Sequence, residues 1–243
     1  MISTRIYAPG PYQVDADLAI PDTARDHLRA RRLRPGDRLI LFDGHNRTAE
    51  ASLERIDKRG ATVRIEAVRE GNAESPLAVT LVQGMGKGDA MDWVVQKATE
   101  LGVAAIVPAY TDNSVVRLKG ERAARKHEHW QRVAISACEQ CGRNTLPRID
   151  APAPLSEVIG GLAGTTGVVI SADATRAMSD LPEPDAASLA LAVGPEGGFS
   201  GAELEQFTAR GWYACHLGPR VLRMETAALA GLTVLGLRFG DLG

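Results

Sequence analysis

The strongest constraint on the fold is a set of short, charge-free apolar runs in the last two thirds of the chain. Leu77–Val82, Ala104–Val107, Val168–Ser171 and Leu189–Val193 are too short for core helices. Stretches of helical period stand between and after them, over Ala90–Leu101, Glu121–Gln140, from Gly201 onward and over Met224–Leu237. Unbroken apolar runs of strand length belong to parallel strands buried on both faces, and their alternation with helices gives an α/β domain with a mostly parallel sheet.

The first seventy residues read differently. Arg5–Ala8, Arg38–Phe42, Thr48–Ile56 and Ala61–Val68 are strand candidates, punctuated by Pro35-Gly36, Asp43-Gly44 and Arg59-Gly60. One helix fits at Asp22–Leu33, capped near Asp22 or Thr23. Short strands with one helix predict a small β-barrel over residues 1–72. The polar segment from Glu70 to Pro76 reads as a linker, and residues 77–243 form the second domain.

Charge is segregated. The chain carries a net −2, yet residues 25–38 hold six arginines against two aspartates, and residues 117–148 hold eight Lys or Arg against three glutamates. Two basic stretches in an otherwise acidic chain predict surfaces that face phosphate. No apolar run approaches the ~20 residues needed to span a bilayer, and Met1–Arg5 lacks the apolar core of a signal peptide. The expectation is a cytoplasmic protein with no membrane partner. Cys138, Cys141 and Cys215 read as structural thiols, with no His or second Cys pair to complete a metal site.

Three loops follow strands of the second domain, where ligands of open α/β sheets bind. Gly84-Met-Gly-Lys-Gly-Asp89 fails the Walker template, because Gly88 follows Lys87, and the Rossmann template, because Asp89 stands at the third glycine position. Gly194-Pro-Glu-Gly-Gly-Phe199 is more specific. It runs out of Leu189–Val193 into a Ser200/Glu203 capping-box pattern, so a tight turn of bare backbone fixes Glu196 at the sheet edge. Leu217-Gly-Pro-Arg-Val-Leu-Arg-Met-Glu-Thr-Ala227 ends a strand and opens a helix with Glu225 in its first turn and a face of small residues at Ala227, Ala228, Ala230 and Gly231.

These last two loops resemble the SPOUT methyltransferases, and within them the RsmE type, which methylates N3 of a uridine in 16S ribosomal RNA. Gln96-Lys-Ala-Thr-Glu-Leu-Gly-Val103, Cys138-Glu-Gln-Cys-Gly-Arg-Asn144 and Arg238-Phe-Gly-Asp-Leu-Gly243 also match that type, as do His27-Leu-Arg29, Arg32-Leu33 and Pro35-Gly-Asp37. The resemblance spans the chain. It implies a PUA-like N-terminal domain, a C-terminal trefoil knot, a homodimer, S-adenosylmethionine as cofactor with S-adenosylhomocysteine as product, the 30S subunit as partner, and no metal.

On that basis Val193, Gly194, Pro195, Gly197, Gly198, Leu217, Gly218, Pro219, Val221, Leu222 and Ala227 are the candidate cofactor residues. Glu196 and Glu225 are candidate bases, and Arg143, Arg220 and Arg223 candidate cations; which carboxylate takes the N3 proton stays open. Arg5, His27, Arg29, Arg32, Arg143 and Asn144 are candidate RNA contacts. Met224 departs from the pattern, since relatives often carry Thr there. Rival expectations are another SPOUT activity, such as ribose 2′-O methylation of transfer RNA, and a non-catalytic RNA-binding or ribosome-assembly protein.

Overall fold

The computed structural model describes residues 4–71 and 73–243. Met1–Ser3, at the end searched for a signal peptide, and Asn72 in the expected linker lie outside the described residues. The chain divides into two compact units, one running to Glu74 and including Cys138–Leu146, the other formed by Ser75–Ala137 and Pro147–Gly243.

The first unit contains β1 (Thr4–Tyr7), β2 (Asp17–Ile20), α1 (Asp22–Ala30), β3 (Arg38–Phe42), β4 (Arg47–Ile56) and β5 (Ala61–Glu70). They form one five-stranded sheet in the order β1-β3-β4-β5-β2. Only β1 and β3 run parallel. Alternate residues face inward, so Leu39 and Leu41 of β3 meet Ala51 and Ala49 of β4 over a core that also holds Ile6, Val63, Ile65 and Leu28. Helix α1 buries Ala24 and Leu28 and leaves Arg29 exposed, as are Arg31 and Arg32 in the turn that follows it.

The expected extent of α1, to Leu33, is too long. The helix stops at Ala30 because Arg32 turns to φ 58° and Leu33 donates its N–H back to the Leu28 carbonyl. Its cap is Pro21, not Asp22 or Thr23. Residues 138–146 join this unit through Arg5, whose Nη2 donates to Asn144 Oδ1 at 2.6 Å, and through Thr145, which bridges to Gly44 and His45.

The second unit comprises β6 (Ala78–Gly84), α2 (Ala90–Glu100), β7 (Ala105–Tyr110), the body of α3 (Glu121–Cys141), β8 (Arg148–Ile149), β9 (Ala153–Pro154), α4 (Leu155–Gly161), β10 (Thr166–Ile170), β11 (Arg176–Ala177), β12 (Ser188–Val193), α5 (Gly201–Thr208), β13 (Tyr213–His216) and α6 (Met224–Phe239). The sheet order is β11-β13-β10-β12-β6-β7-β8, with β9 also on β7, and every pairing is parallel.

The period-2 rule explains why the central strands are apolar throughout. On β12, Leu189, Leu191 and Val193 join the core under α2 and α6, while Ala190 and Ala192 join the opposite core with Phe207 and Trp212. Each fully buried Leu or Val contributes roughly 1.5–3 kcal/mol. Because all the strands are parallel, the loops after β6, β10, β12 and β13 leave from one edge of the sheet, and the site lies there.

Candidate active site

The turn after β12 is shaped by its glycines. Gly198 adopts φ 69° and donates its N–H to the Pro195 carbonyl at 2.9 Å. A Cβ on Gly194 would stand 2.8 Å from the carbonyl carbon of Gly198, so the turn closes on itself only with glycine there. A Cβ on Gly84 would strike Pro195, which puts the end of β6 against the same turn. Fully buried Gln83 donates from Nε2 to the carbonyls of Gly84 and Val193 and ties the two strand ends together.

The outer side of the turn is braced. Ser200 and Glu203 form the expected capping box: Oγ of Ser200 accepts from the Glu203 N–H, and Glu203 Oε2 accepts from the Ser200 N–H. The buried Glu203 also accepts the Asp112 N–H at 2.8 Å, and Asn113 donates to the carbonyls of Gly197 and Gly198. Sequence reading missed the bracing by Asp112 and Asn113, which depends on a loop some 85 residues away in sequence. Gly197 faces this brace, since a Cβ there would stand 3.1 Å from that of Asn113.

The inner side opens on a cleft. Val193, Gly194, Pro195, Glu196 and Gly198 line one wall, and Leu217, Gly218, Arg220, Val221 and Leu222 line the other. Met224 and Ala227 close it from the start of α6, and Ile170, Ser171 and Ala172 from the loop after β10. Gly218 adopts φ 93° and its N–H meets Nδ1 of His216 at 3.1 Å. The structure thus brings nine of the eleven candidate cofactor residues to one cleft, the others being Gly197 and the exposed Pro219. The contribution of residues 170–172 had no sequence signal beyond its place after an apolar strand.

A second cleft, of ≈ 440 Å³, adjoins the first. Lys87, Ala90, Arg223 and Glu225 line it, and Glu196, Val221, Leu222 and Met224 line both. Glu196 is therefore at the junction of a backbone-lined cleft and a charged one. Its Oε1 accepts the Lys87 N–H at 2.8 Å. Met224 is 3% exposed and packs over Gly86, where a Cβ would collide with its sulfur. The loop 84–89, uninformative by template, is thus part of the site.

The remaining candidates lie elsewhere. Arg143 is 4% exposed and its Nη2 pairs with Glu74 Oε2 at 2.6 Å within the first unit. Arg5 and Asn144 bond one another there. His27 Nδ1 meets Glu139 Oε2 at 2.8 Å, and its Nε2 accepts from Arg31. Burial raises the Glu139 carboxyl above its usual range despite hydrogen bonds from Tyr7 and His27. Burial also pushes the Cys138 thiol up to about 12, as suits a structural cysteine. Among the described residues, no group of three or more His, Cys, Asp or Glu could hold a metal ion, and no helix is long and apolar enough to cross a membrane.

Comparison with known proteins places this geometry. A family profile described as an RNA methyltransferase domain matches residues 73–236, and one described as an RNA methyltransferase PUA domain matches residues 20–66. The Ribosomal RNA small subunit methyltransferase E of Buchnera aphidicola (strain Sg) is 32% identical over 98% of this chain and 97% of its own. The chain belongs to this family of RNA methyltransferases.

Solved structures agree. A methyltransferase of Legionella pneumophila in complex with bound cofactor SAM is 39% identical over 100% of both chains, with a TM-score of 0.95. A Ribosomal RNA small subunit methyltransferase E from Neisseria gonorrhoeae, bound to S-adenosyl methionine, is 35% identical over 99% of this chain and 100% of its own, with a TM-score of 0.93. The expected architecture, a mostly parallel SPOUT-type α/β domain with a small PUA-like domain, is that of the family.

Proposed function

We propose that the protein methylates N3 of one uridine in 16S ribosomal RNA of the small subunit, using S-adenosylmethionine, and acts as a cytoplasmic homodimer. The observation that carries this reading is Glu196, a carboxylate held at the boundary between the two clefts. The first cleft suits the cofactor: Gly194, Gly198 and Gly218 leave main-chain groups bare for an adenine and ribose, and Leu217, Leu222 and Ala227 supply apolar contact. When bound, S-adenosylmethionine supplies an electrophilic methyl group.

The chain's own residues then orient and deprotonate the acceptor. Holding the two reactants in line contributes roughly 7–11 kcal/mol. Uracil N3 becomes nucleophilic only as its proton leaves, and Glu196, fixed through Oε1 by Lys87, offers Oε2 to take it. Arg223, which lines the second cleft, offsets charge developing on the uracil carbonyl oxygens. Glu225 shares that cleft and is the second carboxylate within reach of the acceptor. Arg220 contacts phosphate. N3 lies on the Watson–Crick edge, so the target base enters unpaired.

Exposed Arg29 of α1 and Arg32 just beyond its end hold flanking phosphates, with His27 positioning that helix through Glu139. The buried bonds of Arg5, Arg143 and Asn144 suit them to supporting this RNA-facing unit. The dimer is supported by α6, where Glu225 and Arg238 are the only charges across Met224–Phe239. Its inner face is buried, while Thr226, Leu229, Ala230, Thr233 and Leu237 form an uncharged outer stripe suited to a second copy.

The test is to incubate the purified protein with labelled S-adenosylmethionine and 30S subunits lacking the modification, then to map the product by nucleoside mass spectrometry. A single N3-methyluridine is expected. Label on a ribose supports the 2′-O rival, and no transfer despite tight cofactor binding rejects the assignment.

A further inference from the structure

A third pocket, of ≈ 420 Å³, lies on the far side of the loop 84–89, within the range of roughly 300–1,000 Å³ typical of small-ligand sites. Met85, Met91 and Trp130 form its sealed floor, and Val116 and Leu118 form its walls. Three cations of α3 stand at its rim: Arg122, Arg125 and Lys126. Lys126 is held by Asp92 at 2.7 Å and lies 5.8 Å from the centre of the Trp130 ring. Arg125 makes only an exposed pair with Glu121, and Arg122 has no ion-pair partner among the described residues.

We propose that this pocket receives an unstacked nucleotide of the RNA adjacent to the one being methylated. The base rests between Val116 and Leu118, and its phosphate meets Arg122 and Arg125. Two observations select this occupant. The rim is cationic over apolar walls, which matches a flat base joined to an anionic backbone. The loop 84–89 is also a shared partition. Met85, Gly86 and Gly88 face this pocket, while Lys87 lines the charged cleft beside Glu196. A ligand that fills both sides of one short loop is a polymer with successive bases splayed apart. The inference rests on the proposed RNA substrate and adds a subsite to it.

The experiment uses the full-length protein, a labelled single-stranded uridine heptamer and fluorescence anisotropy. The double variant Val116→Asp, Leu118→Asp places carboxylates on the apolar walls, and the double variant Arg122→Glu, Arg125→Glu alters only exposed side chains. Both should weaken heptamer binding by about tenfold or more, with S-adenosylmethionine affinity by calorimetry and oligomeric mass by light scattering unchanged. Wild-type heptamer affinity in both variants overturns the proposal, as does a changed oligomeric mass in the wall variant, which assigns the pocket to a second copy of the chain. Methyl transfer to 30S subunits is measured in parallel. Heptamer binding that depends on the pocket without methylation retires the proposed function and keeps the subsite; methylation with a pocket-independent heptamer affinity does the reverse.

Discussion

The backbone N–H of Lys87 donates to Oε1 of Glu196 at 2.8 Å, joining the loop after β6 to the glycine-rich turn after β12. One carboxylate oxygen is thereby fixed by the main chain, and under the proposed function the other receives the N3 proton. A carboxylate anchored by backbone keeps its position whatever the surrounding side chains do, which is what a group poised for proton transfer requires.

Glu196→Gln keeps the shape of the side chain and removes its basicity. We expect kcat to fall by roughly 10²–10⁴-fold, with S-adenosylmethionine affinity by calorimetry little changed. A fall confined to KM would mean that Glu196 binds substrate and does not act as the base.

Met224 and Gly86 are coupled by contact. A methyl group at Gly86 would collide with the Met224 sulfur and terminal carbon. Gly86→Ala should therefore destabilise the protein by about 1–3 kcal/mol. In a Met224→Thr background, where the obstructing atoms are absent, the same change should cost less, with a coupling of roughly 0.5–3 kcal/mol. Urea melts of the four proteins check this, and strict additivity would refute it.

Asp92 links α2 to α3. Its Oδ1 accepts from Lys126 Nζ and Trp130 Nε1, and its Oδ2 meets His129 Nε2 at 2.6 Å. Burial alone would raise its pKa, but the hydrogen bonds and charges of Lys126 and His129 prevail and hold it below the usual carboxylate range. A carboxyl lowered on folding contributes stability that is fully present above its unfolded pKa of about 3.9 and is lost as pH falls through the folded value. Asp92→Asn should lower Tm at pH 7, and its deficit against wild type should shrink below about pH 4. A deficit constant with pH would assign the effect to packing.

Arg29 and Arg32 are exposed beside α1. Replacing both with alanine should weaken RNA binding and make the log–log salt slope shallower by roughly 1.4–1.8, the value for two phosphate contacts. An unchanged slope would place the RNA on another surface.

The site was legible in the sequence wherever local chemistry governs it. Ser188–Val193 runs one residue beyond the expected Leu189–Val193, and the Ser200/Glu203 cap forms in both directions, because a capping box and a glycine turn are decided within ten residues. Strand β2 escaped notice because Asp17–Ile20 is only four residues and is held by pairing with β5. Helix α4 was hidden by its length of seven residues and its two terminal glycines. Grouping of residues 138–146 with the first unit depends on Arg5–Asn144 and Gly44–Thr145, contacts a hundred or more residues apart in sequence. The neighbours of Glu196 were hidden for the same reason. Nothing local announces that Lys87 will meet a glutamate 109 positions later.

We propose that the turns at 194–198 and 217–222 jointly hold the methyl donor. The most direct measurement is a crystal structure of the full-length protein grown with saturating S-adenosylmethionine. Density for the cofactor between those two turns, with its methyl group directed toward the cleft shared by Glu196 and Arg223, is the expected result. Density at any other place, or none, contradicts it.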